Sequence, residues 1–199
     1  MTIKDYSISQ EEFTLVYDSV LELYKTNPVP DELGKYYESE AYISHTDSRK
    51  TLFDRLYQWV KSYNLKHKIA LIKQYKKENI HLLDIGAGTG DFVLSSKKYA
   101  HWEAMGIEPS EKARAKAEEK GLLLQADFSE LLPHSFDVIT MWHVLEHVPD
   151  VTQEIQIISN LLKENGIAVI AVPNYRSWDA QHYKEHWAAY DVPRHLWHF

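Results

Sequence analysis

Short apolar runs alternate with amphipathic stretches through most of the chain. Residues 80–85, 103–107, 122–125, 136–141 and 167–172 are apolar runs of strand length. Between them, residues about 91–99, 111–120 and 150–163 space their apolar positions three and four apart, which predicts helices, the second closed by Gly121 and the third by Gly166. Strands separated by helices of this length need right-handed crossovers, so the fold class is α/β, a mostly parallel sheet with helices on both faces. Ahead of it, a cap at Thr46 and Asp47 leads into Leu52, Phe53, Leu56, Tyr57 and Val60, then Leu65, Ile69, Ile72 and Tyr75, predicting one long helix or two packed ones. The first forty residues admit two readings. Ser9 to Glu12 has capping-box spacing and Phe13, Val16, Tyr17, Val20 and Tyr24 fit a helical stripe, yet Phe13, Leu15 and Tyr17, then Leu21 and Leu23, alternate like two strands around Asp18-Ser19. Pro28 and Pro30 stop either element.

Composition narrows the classes. A chain of 199 residues, 44% hydrophobic, can bury one sizeable core, and one principal domain is expected. A formal charge of −7 argues against a broad nucleic-acid or anionic-membrane footprint, which needs a basic excess on some face. A small molecule is the expected partner. No run of 18 apolar residues is present, and MTIKDYSISQEEF lacks the layout of a secretory signal. The absence of cysteine excludes disulfides, thiolate zinc sites and a cysteine nucleophile, and a cytoplasmic chain is expected.

The candidate chemistry begins at HLLDIGAGTGDF, residues 81–92. In an open parallel sheet the ligand lies beyond the carboxyl ends of the strands where their order reverses, and the first strand-to-helix turn, Asp84 to Gly90, lies there. Glycine lets a ligand approach the backbone where a Cβ would collide, and the N–H groups that open the next helix can hold an anionic group. The following strand ends in Glu108, placed 22 residues after Gly86, where a carboxylate can accept hydrogen bonds from ribose hydroxyls. Dinucleotide turns read G-x-G-x-x-G, whereas Gly86-Ala87-Gly88-Thr89-Gly90-Asp91 brings the third glycine one position early.

DIGAGTG with an acid closing the next strand resembles the class I S-adenosylmethionine-dependent methyltransferases, in particular their small-molecule, ubiquinone-biosynthesis-like group. Ala126-Asp127-Phe128 looks like the family's adenine-contacting segment, Phe136-Asp137-Val138-Ile139 like its fourth strand, and LLKENGIAVIAVPN like its next helix and fifth strand. The resemblance spans about residues 47–199 and implies a Rossmann-like sandwich with S-adenosylmethionine as cofactor and S-adenosylhomocysteine as product. It further implies that Asp84 orients the turn or the cofactor's ammonium group, and that Gly86, Ala87, Gly88 and Gly90 give close backbone approach. Glu108, followed by Pro109, would bind ribose, Asp127 and Phe128 would serve the adenine, and Met141 and Trp142 would pack near the cofactor. Plainer roles also fit, with Asp84 and Asp127 as caps and Met141 and Trp142 as core.

Residues 143–147, His-Val-Leu-Glu-His, match the H-x-x-E-H pattern of one metalloprotease group. The context opposes that reading, because a strand immediately precedes the motif and Pro149 follows His147 by two residues. The methyltransferase family carries H-x-L-E-H at this place, so no metal site is assigned, and Glu146 and His147 are read as structural or as lining the acceptor pocket, with a divalent ion on the two as the open alternative.

The tail WDAQHYKEHWAAYDVPRHLWHF, residues 178–199, is dense in aromatic rings and resembles the family segment W-x-x-x-D-x-P-R-H-L-x-H-F near the acceptor site. Residues 174–199 are therefore expected to act as a lid, with Arg194 available to a carboxylate or phosphate. The alternative is that His195 and His198 only pack and hydrogen-bond. An oxygen acceptor needs its proton removed, and His143 and His195 are the candidates.

The family's sheet has seven strands and five are visible here, so a truncated or naturally incomplete chain is expected, with the strand at 167–172 an exposed edge open to self-association. Residues 1–45 are read as an extension of a domain spanning 46–199. They resemble a leader that elsewhere forms a cysteine-bearing zinc ribbon, here a metal-free hairpin over residues 12–25 followed by a loop at 35–42. Two other classes compete: a nicotinamide dehydrogenase, which the glycine spacing disfavours, and a module that binds the cofactor without catalysis.

Overall fold

The computed structural model describes residues 1–37, 52–77 and 79–199. In chain order the elements are β1 (Thr2–Lys4), β2 (Glu12–Asp18), β3 (Leu23–Asn27), α1 (Leu52–Lys73), β4 (His81–Ile85), α2 (Asp91–Ser95) and β5 (Glu103–Ile107). Then come α3 (Glu111–Glu119), β6 (Phe136–Trp142), α4 (Val151–Leu161), β7 (Leu162–Ala171), α5 (Trp178–Tyr183) and β8 (Trp197–His198). The contacts divide the chain into two compact units, Met1–Ser48 with His143–Val151 and Val172–Phe199, and Arg49–Trp142 with Thr152–Ala171. The sequence reading divides the chain at residue 45 instead. The expected cap at Thr46 and Asp47 and the end of the expected 35–42 loop lie outside the described residues.

The second unit is the α/β sheet. Its four strands run parallel in the order β5-β4-β6-β7. Neighbours such as Leu82 with Val138 and Leu83 with Ile139 are all fully buried, so both parities of the strands face inward and both faces of the sheet are covered. Ile69 and Ile72 of α1 join Leu82, Val138, Phe92, Val93 and Trp102 in the core on one face. Each such aliphatic side chain contributes roughly 1.5–3 kcal/mol on burial. From β4 the chain crosses to β5 on one side and returns to β6 on the other, so the strand order reverses between β4 and β6 and leaves a crevice at their carboxyl ends.

Two elements differ from the sequence reading. The expected strand at 122–125 is reduced to one parallel bridge between Ile107 and Gln125. The Leu122 N–H is drawn back to the Ala117 carbonyl, and its side chain packs beside Gly90 and Ala117, so the chain enters the sheet only at Gln125. The helix expected to reach residue 163 ends at Leu161, where the N–H groups of His134 and Ser135 cap the Asn160 and Leu161 carbonyls. Asn165, not Gly166, takes the left-handed conformation there. The pairing with β6 then shifts register, Phe136 opposing Leu162 and Val138 opposing Ile167. β7 ends the order, so its outer edge has no strand partner among the described residues.

In the first unit the strand alternative of residues 12–25 is the one adopted. β2 and β3 form an antiparallel hairpin that buries Phe13 and Leu15 on one face. β1 pairs with β2 on one side and β8 with β3 on the other, giving the order β1-β2-β3-β8. Ile3, Phe13, Leu15, Tyr190 and Val192 form this unit's own core.

Of the two glycines in the parallel strands, Gly106 leaves less room for a side chain than Gly166. A Cβ at Gly106 would lie 2.7 Å from Ala87 Cβ and 2.9 Å from Leu124 Cδ2, whereas at Gly34 it would meet nothing within 4 Å. Gly106→Val is expected to cost about 1–3 kcal/mol in denaturant unfolding and Gly34→Ala to stay within about 0.5 kcal/mol of the parent.

Candidate functional site

In the parallel-sheet unit, β4 delivers Asp84 one residue before the turn, and Gly86, Gly88 and Gly90 all adopt positive φ, at 69°, 55° and 76°. The Ala87 N–H donates to the Ile107 carbonyl at 2.9 Å, which pins the turn to the end of β5. At Gly88 a Cβ would meet no heavy atom of the described residues within 4 Å, so among them the turn presents open backbone at its crest. Glu108 closes β5 and accepts from the Gly88 N–H through Oε2 at 2.8 Å and from the Ser110 N–H through Oε1 at 2.9 Å. The carboxylate is thus already within reach of the turn. Arg114 fastens the segment behind it by donating to the Glu108 and Pro109 carbonyls, both at 2.7 Å.

Asp84 is buried and accepts from the Thr140 hydroxyl at 2.6 Å. Burial pushes its carboxyl up to about 7, against the opposing pull of Thr140 and of Lys68. Lys68 projects from α1, its ammonium 4.3 Å from the centre of the Trp142 ring, and burial pulls its own pKa down while Asp84 opposes. Trp142 also packs edge-on against Phe92 at 5.6 Å, and its indole N–H is buried without a hydrogen-bond partner among the described residues. Lys68 went unnoticed in the sequence reading. The available signal was a lysine at the i+3 position from Leu65, inside the stripe that α1 buries.

Other expected cofactor residues take plainer places. Met141 is fully buried in the sheet, paired with Ile85 and Ile170. Asp127 is exposed and accepts from the Ser129 N–H at 2.8 Å, the Ser129 hydroxyl and then this N–H hold its carboxyl below the usual range, and Phe128 is half-buried beside it. Asp91 at the start of α2 is bound by Lys61 at 2.7 Å and Lys120 at 3.1 Å. Those two lysines tie α1 and the end of α3 to the helix that follows the turn.

The histidines gather in the other unit. Glu146 is completely buried, no hydrogen bond from the described residues reaches either of its carboxylate oxygens, and His143 Nδ1 lies 3.4 Å from Oε1. The His143 side chain is 66% exposed. His147 Nδ1 donates to the Arg194 carbonyl at 3.0 Å and His195 Nδ1 to the Ala189 carbonyl at 2.9 Å, so each ring keeps the lone pair on Nε2. The two rings pack edge to face at 4.6 Å. Burial, then the neighbouring His147, pulls His195 down to about 4, and burial pulls His198 down to about 3. Glu146, His147 and His195 each offer a ligand atom within 4.8 Å of the others, an arrangement that could hold a metal ion.

Residues 174–199 do not stand off as a free lid. β8 completes the hairpin sheet, His198 Nε2 bonds the Thr26 hydroxyl at 2.9 Å, and the Trp197 indole donates to the Val148 carbonyl. Arg194 is committed as well, donating to Asp191, to Ser7 Oγ at 2.7 Å and to the Tyr36 carbonyl at 3.2 Å, so the guanidinium expected to meet a ligand instead binds this unit together. α5 and the turn after it keep their rings outward, with Trp178 stacked on His182 and the His186 side chain 62% exposed.

A family pattern described as "Methyltransferase domain" matches residues 54–199. The chain belongs to this family. Among curated relatives, the methyltransferase domain is 35% identical over 115 residues to the ubiquinone biosynthesis O-methyltransferase of Histophilus somni, a match that covers 49% of this chain and 47% of that protein. The chain thus spans about half the length of the curated relatives it matches. Two solved structures share the fold. Phosphoethanolamine N-methyltransferase 2 of Haemonchus contortus, solved with S-adenosyl-L-methionine, superposes with a TM-score of 0.56 at 19% identity over 84% of this chain and 42% of that one. A Thermotoga maritima methyltransferase described as a possible histamine N-methyltransferase gives 0.53 at 20% identity over 74% and 70%.

Two outcomes follow from the buried charges of this methyltransferase domain. From about pH 4 to 7 folded Asp84 holds a proton that the unfolded chain has released, so stability falls as pH rises through that window, by on the order of a few kcal/mol. Denaturant unfolding of Asp84→Asn across that range should lose this component of the slope. Arg194→Met should cost about 3 kcal/mol or more, since it leaves Asp191 and Ser7 without their donor.

Proposed function

We propose that this methyltransferase domain is an enzyme that binds S-adenosylmethionine at its glycine turn and transfers the methyl group to a small-molecule acceptor by in-line displacement. The observation that carries the reading is the open backbone at Gly88 with the Glu108 carboxylate 2.8 Å from its N–H, at the carboxyl end of β4 in a chain of this family. The unpartnered indole N–H of Trp142 and the Lys68 ammonium beside Asp84 fit a ligand that carries both charges of an amino acid.

When bound, S-adenosylmethionine supplies an electrophilic methyl on a sulfonium. The chain's own groups supply the positions. Glu108 accepts from the ribose hydroxyls, Asp84 holds the ammonium and Lys68 the carboxylate of the methionine moiety, and the backbone of Gly86, Ala87 and Gly88 comes close to it. Asp127 accepts from the adenine amino group, with Pro109 and Phe128 flanking it. Trp142 walls the site and keeps water out, which raises the worth of each charge contact. Met141 supports the wall from within the sheet.

Where the attacking atom is a hydroxyl oxygen, His143 accepts its proton at the ring nitrogen turned away from Glu146, and the carboxylate behind it stabilises the imidazolium formed. His195, with a pKa near 4, is neutral at pH 7 and accepts a hydrogen bond through Nε2 without taking the proton. The net charge of −7 favours a small acceptor over a nucleic acid. The open edge of β7 offers a surface for pairing between copies, and a sharp monomer in solution scattering would remove that part of the reading.

Calorimetric titration with S-adenosylhomocysteine tests the proposal. Binding should appear, weaken at least tenfold in Glu108→Ala, and be absent for NADH. Lys68→Met should weaken S-adenosylhomocysteine by a similar factor and leave 5′-methylthioadenosine, which lacks the carboxylate, unchanged. Because the ligand ammonium favours ionised Asp84, affinity should rise with pH up to about 7 and level off above it, and Asp84→Asn should be flat. Failure of a folded chain to bind would overturn the reading, and binding with no turnover on hydroxylated or amino acceptors would reduce it to a cofactor-binding module.

A further inference from the structure

The overall charge of −7 conceals a strong local excess. Residues 52–77 hold six lysines and one arginine against one acid, Asp54. Along α1 the positions Trp59, Tyr63, Lys66, Ala70 and Lys73 recur at helical spacing on the exposed face, and Lys77 continues the row beyond the helix end. They lie opposite the buried stripe of Leu65, Ile69 and Ile72. Trp59 is 66% exposed and Tyr63 52% exposed, and the two rings stack at 5.9 Å, with His67 continuing the ladder 4.0 Å beyond Tyr63. Val60 and Leu71 flank the row and are exposed as well. The turn after α2 extends the patch. Tyr99, 46% exposed, lies beneath the ammonium groups of Lys66 at 5.4 Å and Lys98 at 5.2 Å, next to exposed Lys97.

We propose that this face of α1, with Lys97 to Tyr99, docks the protein on an anionic lipid surface. The row from Trp59 to Lys73 is about 21 Å long at the helical rise, a strip that can lie flat in an interface. Trp and Tyr rings bury their apolar bodies at headgroup depth while lysine stems reach outward to lipid phosphates. Each lysine near such a surface adds attraction that falls off within a Debye length. The aliphatic pair Val60 and Leu71 has no use against a nucleic-acid backbone, which favours lipid over RNA. A second copy of the same face would set Lys66, Lys73, Lys97 and Lys98 against their own charge. Neither the cofactor nor the acceptor enters this argument.

Vesicle flotation of the full chain tests it, with phosphatidylcholine alone and with phosphatidylglycerol added, at about 0.1 M salt. The protein should float only with the anionic vesicles and be released at high salt. The combined variant Lys66→Glu, Lys73→Glu, Lys97→Glu, Lys98→Glu should bind at least tenfold more weakly while keeping the parent's thermal transition. Brominated anionic lipid should quench tryptophan emission in the parent and do so far less in Trp59→Phe, a readout that does not depend on the charge variant folding. Equal binding by the charge variant, equal flotation with phosphatidylcholine alone, or quenching unaffected by Trp59→Phe would overturn the proposal. So would binding to a homopolymeric RNA or an acidic peptide with no flotation on anionic vesicles.

Discussion

The parallel-sheet unit depends on the close approach of the glycine turn to β5. Because Gly106 has no side chain, Ala87 can sit directly against that strand and donate its N–H to Ile107. This contact sets where β5 ends, and with it where Glu108 stands relative to the Gly88 N–H. A methyl group at Gly106 would push on Ala87, Leu124 and Val93 together, so turn, bridge and helix would move as one. The turn is therefore held by packing at Gly106 and, among the described residues, open at Gly88.

What could be read from the sequence follows from how local the determining physics is. The strand-turn-acid layout around Asp84 to Glu108 needs only neighbours in the chain and one crossover, and both the α/β class and the family came through it. The strand expected at 122–125 was lost to a contact that composition does not announce, the Leu122 side chain turning back onto Ala117 and Gly90. Lys68 was hidden for the opposite reason. Lysine is scored as a solvent-facing residue, and only the Asp84 carboxylate and the Trp142 ring across the sheet explain why one should point inward.

The ring-rich tail shows how side chains that look available are consumed. Arg194, His198 and Trp197 each carry groups suited to a ligand, and each spends them on the backbone or side chains of its own unit. Their burial is what turns His195 and His198 into weak bases. Glu146 is the exception, a carboxylate placed in the same cluster without a hydrogen bond to either oxygen among the described residues. Reading charge over the whole chain has a similar blind spot, since a net of −7 coexists with one helix whose charged residues are all basic except Asp54.

The hydroxyl of Thr26 has a consequence for biosynthesis. It donates to the His195 carbonyl and meets His198, partners 169 and 172 residues further along. The hairpin of β2 and β3 can form as soon as it leaves the ribosome, but the outer edge of β3 has no strand to pair with until β8 emerges. At about 5–20 residues per second that interval is on the order of ten to thirty seconds. For that time an unpaired β edge is carried by a nascent chain, a target for chaperones and for mispairing with a neighbour on the same message.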